Sequence, residues 1–332
     1  MTDRRDLQAM ITGFRLSAAL NVAADLGISD LLAGGPRAVA DLAEVTSTDA
    51  DTLRRLLRAL ATVGVYDEAP GDAYANTALG EGLRSDVPGT LRPLARTLNS
   101  PELWSAWGHL GHSVRTGENA YEAKHGVDVW THRQAHPAEN EIFNDNMTAL
   151  TSSVADAVAE AYDFSGLTQV VDVGGGQGIL LEAVLRRHPQ VTGTVFDQGH
   201  VVATEPIDPA LRPRWSADSG SFFESVPAAD AYLLKSILHD WPDDQCVEIL
   251  QTCRRSLTSG GVVLVVETLL GRPGFEVHAA FSDLNMLVLP GGRERTEQEY
   301  AALFAASGLR LTRVVDTTTR ASVIEARAET AR

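Results

Sequence analysis

The sequence predicts an α/β protein in which a doubly wound, mainly parallel sheet follows a smaller, mainly helical domain. Three observations predict it. From residue 170 onward strand-like runs alternate with helix-like segments, a glycine cluster fills the first strand-to-helix turn, and the opening 85 residues show helical periodicity that ends in a hairpin. The expected organisation is a helical and winged-helix domain over 1–95, a helical linker over 96–165 and a Rossmann-like domain over 166–332.

The first element is a helix over residues 6–32. Its apolar positions (Leu7, Met10, Ile11, Phe14, Leu16, Leu20, Val22, Leu26 among them) exceed what one packed stripe needs, so a second copy of the chain is expected to cover them. Gly27 and Gly34-Gly35-Pro36 punctuate its end. Ala38 to Ala43 reads as a short helix, Thr48-Asp49-Ala50-Asp51 caps a longer one through Leu60, and Val63 to Tyr74 reads as strand, Pro-Gly turn, strand. That order is a winged helix. Residues 88–165 read mostly as helix, with Trp104, Trp107, Trp130, Phe143 and Met147 spread along them as core or pocket aromatics and thioethers.

Val170 to Val173 is the next strand, followed by Gly174-Gly175-Gly176-Gln177-Gly178, a helix from Ile179, and a strand from Thr192 that closes on Asp197. Glycines are needed where a ligand approaches the backbone closely, so this is a nucleotide-binding βαβ unit. Ile179 stands where a dinucleotide fingerprint would place its third glycine, which disfavours NAD. The loop has no Lys-Ser or Lys-Thr pair and no flanking base, which disfavours ATP. Asp172 and Asp197 flank it instead, and Asp197 is placed to accept ribose hydroxyls. A nucleoside that is cationic and carries no phosphate suits such a site, a description that S-adenosylmethionine meets. Further along, Ala231 to Ile237 and Gly261 to Leu269 read as strands, Asp243 to Leu257 and Thr296 to Ala306 as helices, and Leu309 to Asp316 with Ala321 to Ala326 as a closing strand pair. Ligands of such a sheet bind at the carboxyl ends of its strands.

Composition narrows the partners. The chain of 332 residues is 44% hydrophobic, and 28 basic against 44 acidic residues leave a net charge of −16, which repels nucleic acid and anionic membranes. Arg54, Arg55 and Arg58 on the winged-helix domain would be the groove-facing residues of a DNA-binding reading, which this acidity opposes. Residues 1–30 lack an apolar core behind a basic start, and no run reaches the ~20 apolar residues of a membrane span, so a cytoplasmic protein is expected. Cys246 and Cys253 share one helix, about 10 Å apart along its axis, too far for a disulfide, and are expected as core thiols. His132 and His136 have metal-ligand spacing, but Pro137 follows and no motif supplies a partner acid, so no metal is expected.

His239, in Leu238-His239-Asp240-Trp241 just past a strand end, is a candidate general base. A structural histidine capping a helix is the plainer alternative. Glu267, at the end of the next strand, and Glu294, after the Gly291-Gly292 turn, weigh against it, because carboxylates near an imidazole fix its tautomer and stabilise the imidazolium.

Asp172-Val173-Gly174-Gly175-Gly176, Leu238-His239-Asp240-Trp241 and Gly291-Gly292-Arg293-Glu294-Arg295-Thr296 together resemble the S-adenosylmethionine-dependent small-molecule O-methyltransferases. That family is typified by the plant caffeate and isoflavone enzymes and by bacterial enzymes of aromatic polyketide tailoring. The likeness spans nearly the whole chain and is strongest in general character to actinobacterial naphthoate O-methyltransferases of antibiotic biosynthesis. It implies that the winged-helix domain serves homodimerisation, that S-adenosylmethionine is the methyl donor and S-adenosylhomocysteine its product, and that the acceptor is a phenolic aromatic compound. It further implies that His239 is the base flanked by Glu267 and Glu294, and that Asp172, Gly174, Gly176, Asp197 and Lys235 contact the cofactor. Phe143, Asn144, Met147, Asn285 and Met286 would line the acceptor pocket. One departure stands out: Ser221 occupies the place of the acid that usually meets adenine, so Ser221 and Phe222 are the expected adenine contacts, with Asp218 the alternative. Two other functions fit parts of the pattern, a winged-helix regulator that senses S-adenosylmethionine and a relative with decarboxylase or hydroxylase chemistry.

Overall fold

Alternation within the strands builds the larger domain. In the computed structural model, which describes residues 4–98 and 100–328, consecutive residues of the central strands enter opposite cores. Val170, Ala231, Leu233, Val262 and Leu264 join Leu180, Leu181 and Val184 of the helix Ile179–Arg187 on one side. Val171, Tyr232, Leu234, Val263 and Val265 join Cys246, Ile249 and Leu250 of the helix Asp243–Ser256, and Tyr300 and Phe304 of the helix Glu297–Ala306, on the other. A strand covered on both faces reads as an unbroken apolar run, as Val170-Val171 and Val262 to Val266 do.

The strands are β1 (Arg37–Ala38), β2 (Tyr66–Ala69), β3 (Ala73–Asn76), β4 (Gln169–Val173), β5 (Thr192–Asp197), β6 (Trp215–Ser219), β7 (Ala229–Lys235), β8 (Leu257–Thr268), β9 (Leu309–Asp316) and β10 (Ala321–Ala328). Among the described residues they form two sheets, β1-β3-β2 and β6-β5-β4-β7-β8-β10-β9. In the larger sheet β6, β5, β4, β7 and β8 run parallel, and β10 pairs antiparallel with both β8 and β9. The order reverses between β4 and β7, the switch point at which a doubly wound sheet opens a crevice.

Several sequence expectations need correction. The helix expected over 6–32 is three helices, Arg4–Thr12, Phe14–Asp25 and Ile28–Leu31. It breaks at Gly13 and at Gly27, where a left-handed φ of 65° ends the second helix. The strand expected over 231–237 is β7, which ends two residues earlier because Ser236 turns to a φ of 55°. The strand expected over 261–269 begins at Leu257. A helix over Glu276–Val288 was not expected, since its charges at Glu276, His278 and Asp283 blur its apolar period. The helix Ala50–Ala61 is capped as expected, with the Asp49 carboxylate accepting from Thr52 N at 2.9 Å.

Contacts divide the chain into two compact units. The first comprises Met1–Ser105 with Ala138–Ala149, the second Ala106–Pro137 with Leu150–Arg332. The first unit centres on Ile28, Leu32, Leu42, Leu53, Leu57, Leu60 and Tyr66. Its opening helices leave Leu7, Met10, Ile11 and Phe14 largely exposed, Met10 by 70%. Arg54 there faces acids, with its fork on Asp72 at 2.8 to 2.9 Å. Cys246 and Cys253 are buried free thiols, and burial pushes both up to about 12. No helix among the described residues is long and apolar enough to cross a membrane.

On the antiparallel side, Glu325 of β10 is only 3% exposed. It accepts from Tyr162 Oη at 2.8 Å, Thr312 Oγ1 at 2.7 Å, Arg313 Nε at 2.8 Å and Arg327 Nε at 2.9 Å. Burial raises its pKa, but these donors outweigh burial and hold it down to about 2. A depressed carboxylate contributes stability above its unfolded value of about 4.3 and loses it as pH falls through the folded one. Glu325→Gln should therefore cost about 1.5 to 3 kcal/mol at pH 7, with a smaller difference at pH 3. Urea unfolding at the two pH values measures it, and equal stabilities at pH 7 would contradict the assignment.

Candidate functional site

The crevice of the second unit is built from the ends of β4, β5, β7 and β8. After β4 the chain turns so that Gly174 N donates to Phe196 O at 2.8 Å. Gly176 then takes a φ of 55°, and a Cβ built on it would meet nothing within 4 Å, so its bare backbone faces open space. Gly176 N donates to Asp197 Oδ2 at 2.9 Å and Gln198 N to Asp197 Oδ1 at 2.7 Å. Each Asp197 oxygen thus keeps a further lone pair for an outside hydroxyl. Burial raises the pKa of Asp197, and the two backbone donors oppose that rise.

Asp172 lies beneath this loop, 2% exposed. Burial, and then the charge of Asp197, raise it to about 7, with Lys235 opposing. Burial lowers Lys235 to about 8, against the charges of Glu267, Asp172 and Asp240. Past β6, Ser221 Oγ accepts from Phe223 N at 3.3 Å. Phe222 packs edge-on to Trp241 with ring centroids 6.0 Å apart, which seats it between the glycine loop and the Leu238–Asp240 turn. Asp218 turns its carboxylate to its neighbour, Ser219 N, at 2.8 Å.

His239 sits in the short 3-10 turn Leu238–Asp240. Its Nδ1 is 3.0 Å from Glu294 Oε1 and 3.2 Å from Glu267 Oε2. Nε2 has Asp240 Oδ1 at 3.6 Å, beyond hydrogen-bond length. Glu267, 2% exposed at the end of β8, also accepts from Ile237 N at 3.1 Å and His239 N at 3.4 Å. Glu294 accepts from Ser282 Oγ at 2.6 Å, and its own N donates to Asp283 Oδ1 at 2.9 Å. Gly292 is required next to it, since a Cβ there would collide with His239 O and the Asp240 carbonyl carbon.

Burial by itself would lower the imidazole pKa. The charges of Glu267, Glu294 and Asp240 outweigh it and raise His239 from 6.5 to about 10. Burial raises Glu267, whereas for Glu294 the imidazolium and the Ser282 hydroxyl overcome burial and lower it. One Nδ1–H stands between two carboxylates, and Glu267 Oε2 and Glu294 Oε2 have no hydrogen-bond partner among the described residues. The arrangement holds the ring in one orientation, stabilises its cation and leaves Nε2 to exchange a proton with a ligand.

The second unit therefore brings together His239, Glu267 and Glu294, and separately Gly174, Gly176 and Asp197 above the buried Asp172, with Lys235 within electrostatic reach of both groups. Asn285 and Met286 lie on the helix Glu276–Val288, one turn beyond Ser282 and so on its face. Asn285 Oδ1 accepts from Trp107 Nε1 at 3.3 Å. Phe143, Asn144 and Met147 belong to the first unit, on the helix Pro137–Ala161. Sequence reasoning missed Ser282 and Asp283, which set Glu294, because no helix was expected to carry them. It also missed the stacking of Trp130 on Trp241 at 6.0 Å. His132 and His136 stack on each other with centroids 4.0 Å apart.

The O-methyltransferase domain family matches residues 107–310, and the O-methyltransferase dimerisation domain family matches residues 8–86. A phenazine O-methyltransferase of Lysobacter antibioticus is 40% identical over 97% of this chain and 95% of its own. A 2,7-dihydroxy-5-methyl-1-naphthoate 7-O-methyltransferase of Streptomyces carzinostaticus is 38% identical over 88% of each. An O-methyltransferase from neocarzinostatin biosynthesis, solved with S-adenosylmethionine and 2-hydroxy-5-methyl naphthoic acid, superposes with a TM-score of 0.80 at 34% identity, covering 95% of this chain and 96% of that one.

The imidazole should titrate well above 6.5, and Glu294→Gln should lower its midpoint, because removing an anion destabilises the cation. Nitrogen NMR of the labelled histidine ring reads both. A wild-type midpoint at or below 6.5 would show that burial wins over the carboxylates.

Proposed function

Because the chain belongs to the S-adenosylmethionine-dependent O-methyltransferase family, we propose that it methylates a phenolic hydroxyl of an aromatic, polyketide- or naphthoate-like small molecule with His239 as general base. The observation that carries the role of His239 is its two-sided geometry: carboxylates at 3.0 and 3.2 Å occupy Nδ1, which leaves Nε2 to take the phenolic proton. When bound, S-adenosylmethionine supplies a methyl group already activated on a sulfonium, and S-adenosylhomocysteine remains.

The residues of the glycine loop suit that donor. Asp197 accepts the ribose hydroxyls on its remaining lone pairs, Gly176 lets the nucleoside approach the backbone, Gly174 lacks the Cβ that would collide with Ile237, and the buried Asp172 supports the loop from below. Lys235, between Asp172 and Glu267, completes the cofactor end, and Ser221 and Phe222 take the adenine, Phe222 by its ring face and Ser221 by its hydroxyl. A site walled by acids favours a sulfonium and an ammonium over any phosphate.

His239 has to lose its proton before it can accept one. With an ordinary imidazole near ~6.5, transfer from a phenol near ~10 costs about 5 kcal/mol. The carboxylates that raise His239 remove most of that cost, but they also keep the ring protonated at neutral pH. A cationic ligand beside the ring pushes its pKa back down and favours the phenolate, so base and acid meet near balance. Asn285 and Met286, on the same helix as Ser282, hold the acceptor, and positioning supplies the largest share of the acceleration.

The homodimer belongs to the same reading. The exposed Met10, Ile11 and Phe14 fall at the start of the dimerisation-domain match, with Leu7 just before it, and form the face a second copy covers. Sedimentation of Ile11→Glu should show monomers at concentrations where the wild type is dimeric, and an unchanged dimer would remove these helices from the interface.

Labelled S-adenosylmethionine with a panel of hydroxynaphthoates, phenazines and catechols tests the activity. His239→Gln should lower turnover by ~10² to 10⁴ while cofactor affinity holds. Asp197→Ala should do the converse, weakening cofactor binding by roughly 1.5 to 3 kcal/mol. Wild-type turnover in His239→Gln would withdraw the base.

A further inference from the structure

We propose that Arg295 is a positioning residue that holds the His239 turn against Glu267 and Glu294, an inference that rests on the reading of His239 as the base. Arg295 is 1% exposed and among the largest fully buried side chains. Its Nη1 donates to Leu238 O at 2.9 Å and to Arg293 O at 3.3 Å, and its Nη2 donates to Trp241 O at 2.9 Å. Asp243 Oδ1 takes the rest, from Nη2 at 2.7 Å and Nε at 3.0 Å. All five N–H donors of the guanidinium are thereby engaged. Leu238 and Trp241 bracket the pair His239-Asp240, so one rigid fork grips the carbonyls on either side of the base.

The backbone of Arg295 reaches the other two groups. It follows Glu294 directly, and its carbonyl accepts from Leu270 N at 3.0 Å, with Leu269 and Arg295 bridged in parallel just beyond Glu267 and the end of β8. Arg293 N adds a bond to His239 O at 2.8 Å. One residue is therefore tied to all three segments whose spacing sets the 3.0 and 3.2 Å distances at Nδ1. An ion pair with Asp243 alone gives no reason for the burial, because Asp243 is 62% exposed at its side chain and could meet a cation at the surface. Burying a guanidinium is costly unless its bonds are made in full, and here two of its five bonds go to the carbonyls on either side of the base and a third to Arg293 O.

Lysine is the informative replacement, since it keeps the charge but offers three donors from one point and cannot bridge the two carbonyls as a planar fork. In Arg295→Lys, kcat should fall ~10- to 100-fold, as displacements near 1 Å do, with the KM for S-adenosylmethionine changed by less than about twofold. The acid limb of the kcat profile should also move to lower pH, because carboxylates held farther from the ring raise its pKa less. Arg295→Gln, which brings no charge into the site, is read in the same way should the lysine variant fail to fold. A purely structural arginine would lower the melting temperature and leave kcat and the acid limb in place below the melt, and that result overturns the proposal. His239→Gln is run alongside: if it is slow while the Arg295 variants match wild type, only this inference fails, and if it keeps wild-type turnover, the base reading fails and this inference with it.

Discussion

One imidazole nitrogen held between two buried carboxylates is the constraint around which the second unit is arranged. Nδ1 of His239 lies 3.0 Å from Glu294 and 3.2 Å from Glu267, each nearly inaccessible to water. Like charges so close are unfavourable unless a cation lies between them, and a buried imidazolium is unfavourable without anions, so each group makes the others tolerable. The result is an imidazole whose proton affinity is set by its carboxylates and whose tautomer is set by their position. It needs three chain segments, the turn after β7, the end of β8 and the loop after Gly291-Gly292, to stay in register.

The sheet meets that requirement by ordinary packing. Alternate residues of β4, β7 and β8 lock into separate cores on the two faces, so the strand ends cannot slide without exposing Val171 or Leu233, Val263 or Leu264. Positions at the strand ends then carry the polar groups, because there the backbone leaves the ladder and its N–H groups need other acceptors. Glu267 accepts from Ile237 and His239, and Asp197 from Gly176 and Gln198. Each carboxylate that serves the site also closes the backbone that presents it.

The electrostatics of the two halves of the crevice agree. Asp172 and Asp197 at the glycine loop, and Glu267, Glu294 and Asp240 at the turn, give a pocket with more buried acid than base. Such a pocket holds protons tightly when empty of other cations and yields them when one enters. On the proposed reading, a positively charged ligand lowers the proton affinity of His239 through charge.

Much of this was written in local order. The βαβ unit, the glycine loop and the acid at the end of β5 were legible because turn chemistry and period-two patterning act over a few residues. His239, Glu267 and Glu294 were recognisable as strand-end and loop residues within motifs. The sequence by itself also determined the acidic balance, the unbroken apolar runs of a sheet covered on both faces and the surplus of apolar residues on the first helices. Only the tertiary structure decided which ring nitrogen faces the carboxylates, that Asp172 lies under the loop and not at its surface, that Ser282 and Asp283 steady Glu294, and that Arg295 grips the turn. Those contacts join residues up to 57 positions apart, as from Leu238 to Arg295, and no local period records them. They arise because burial removes water as a partner, and each polar group must then find whichever neighbour the packed sheet has placed within reach.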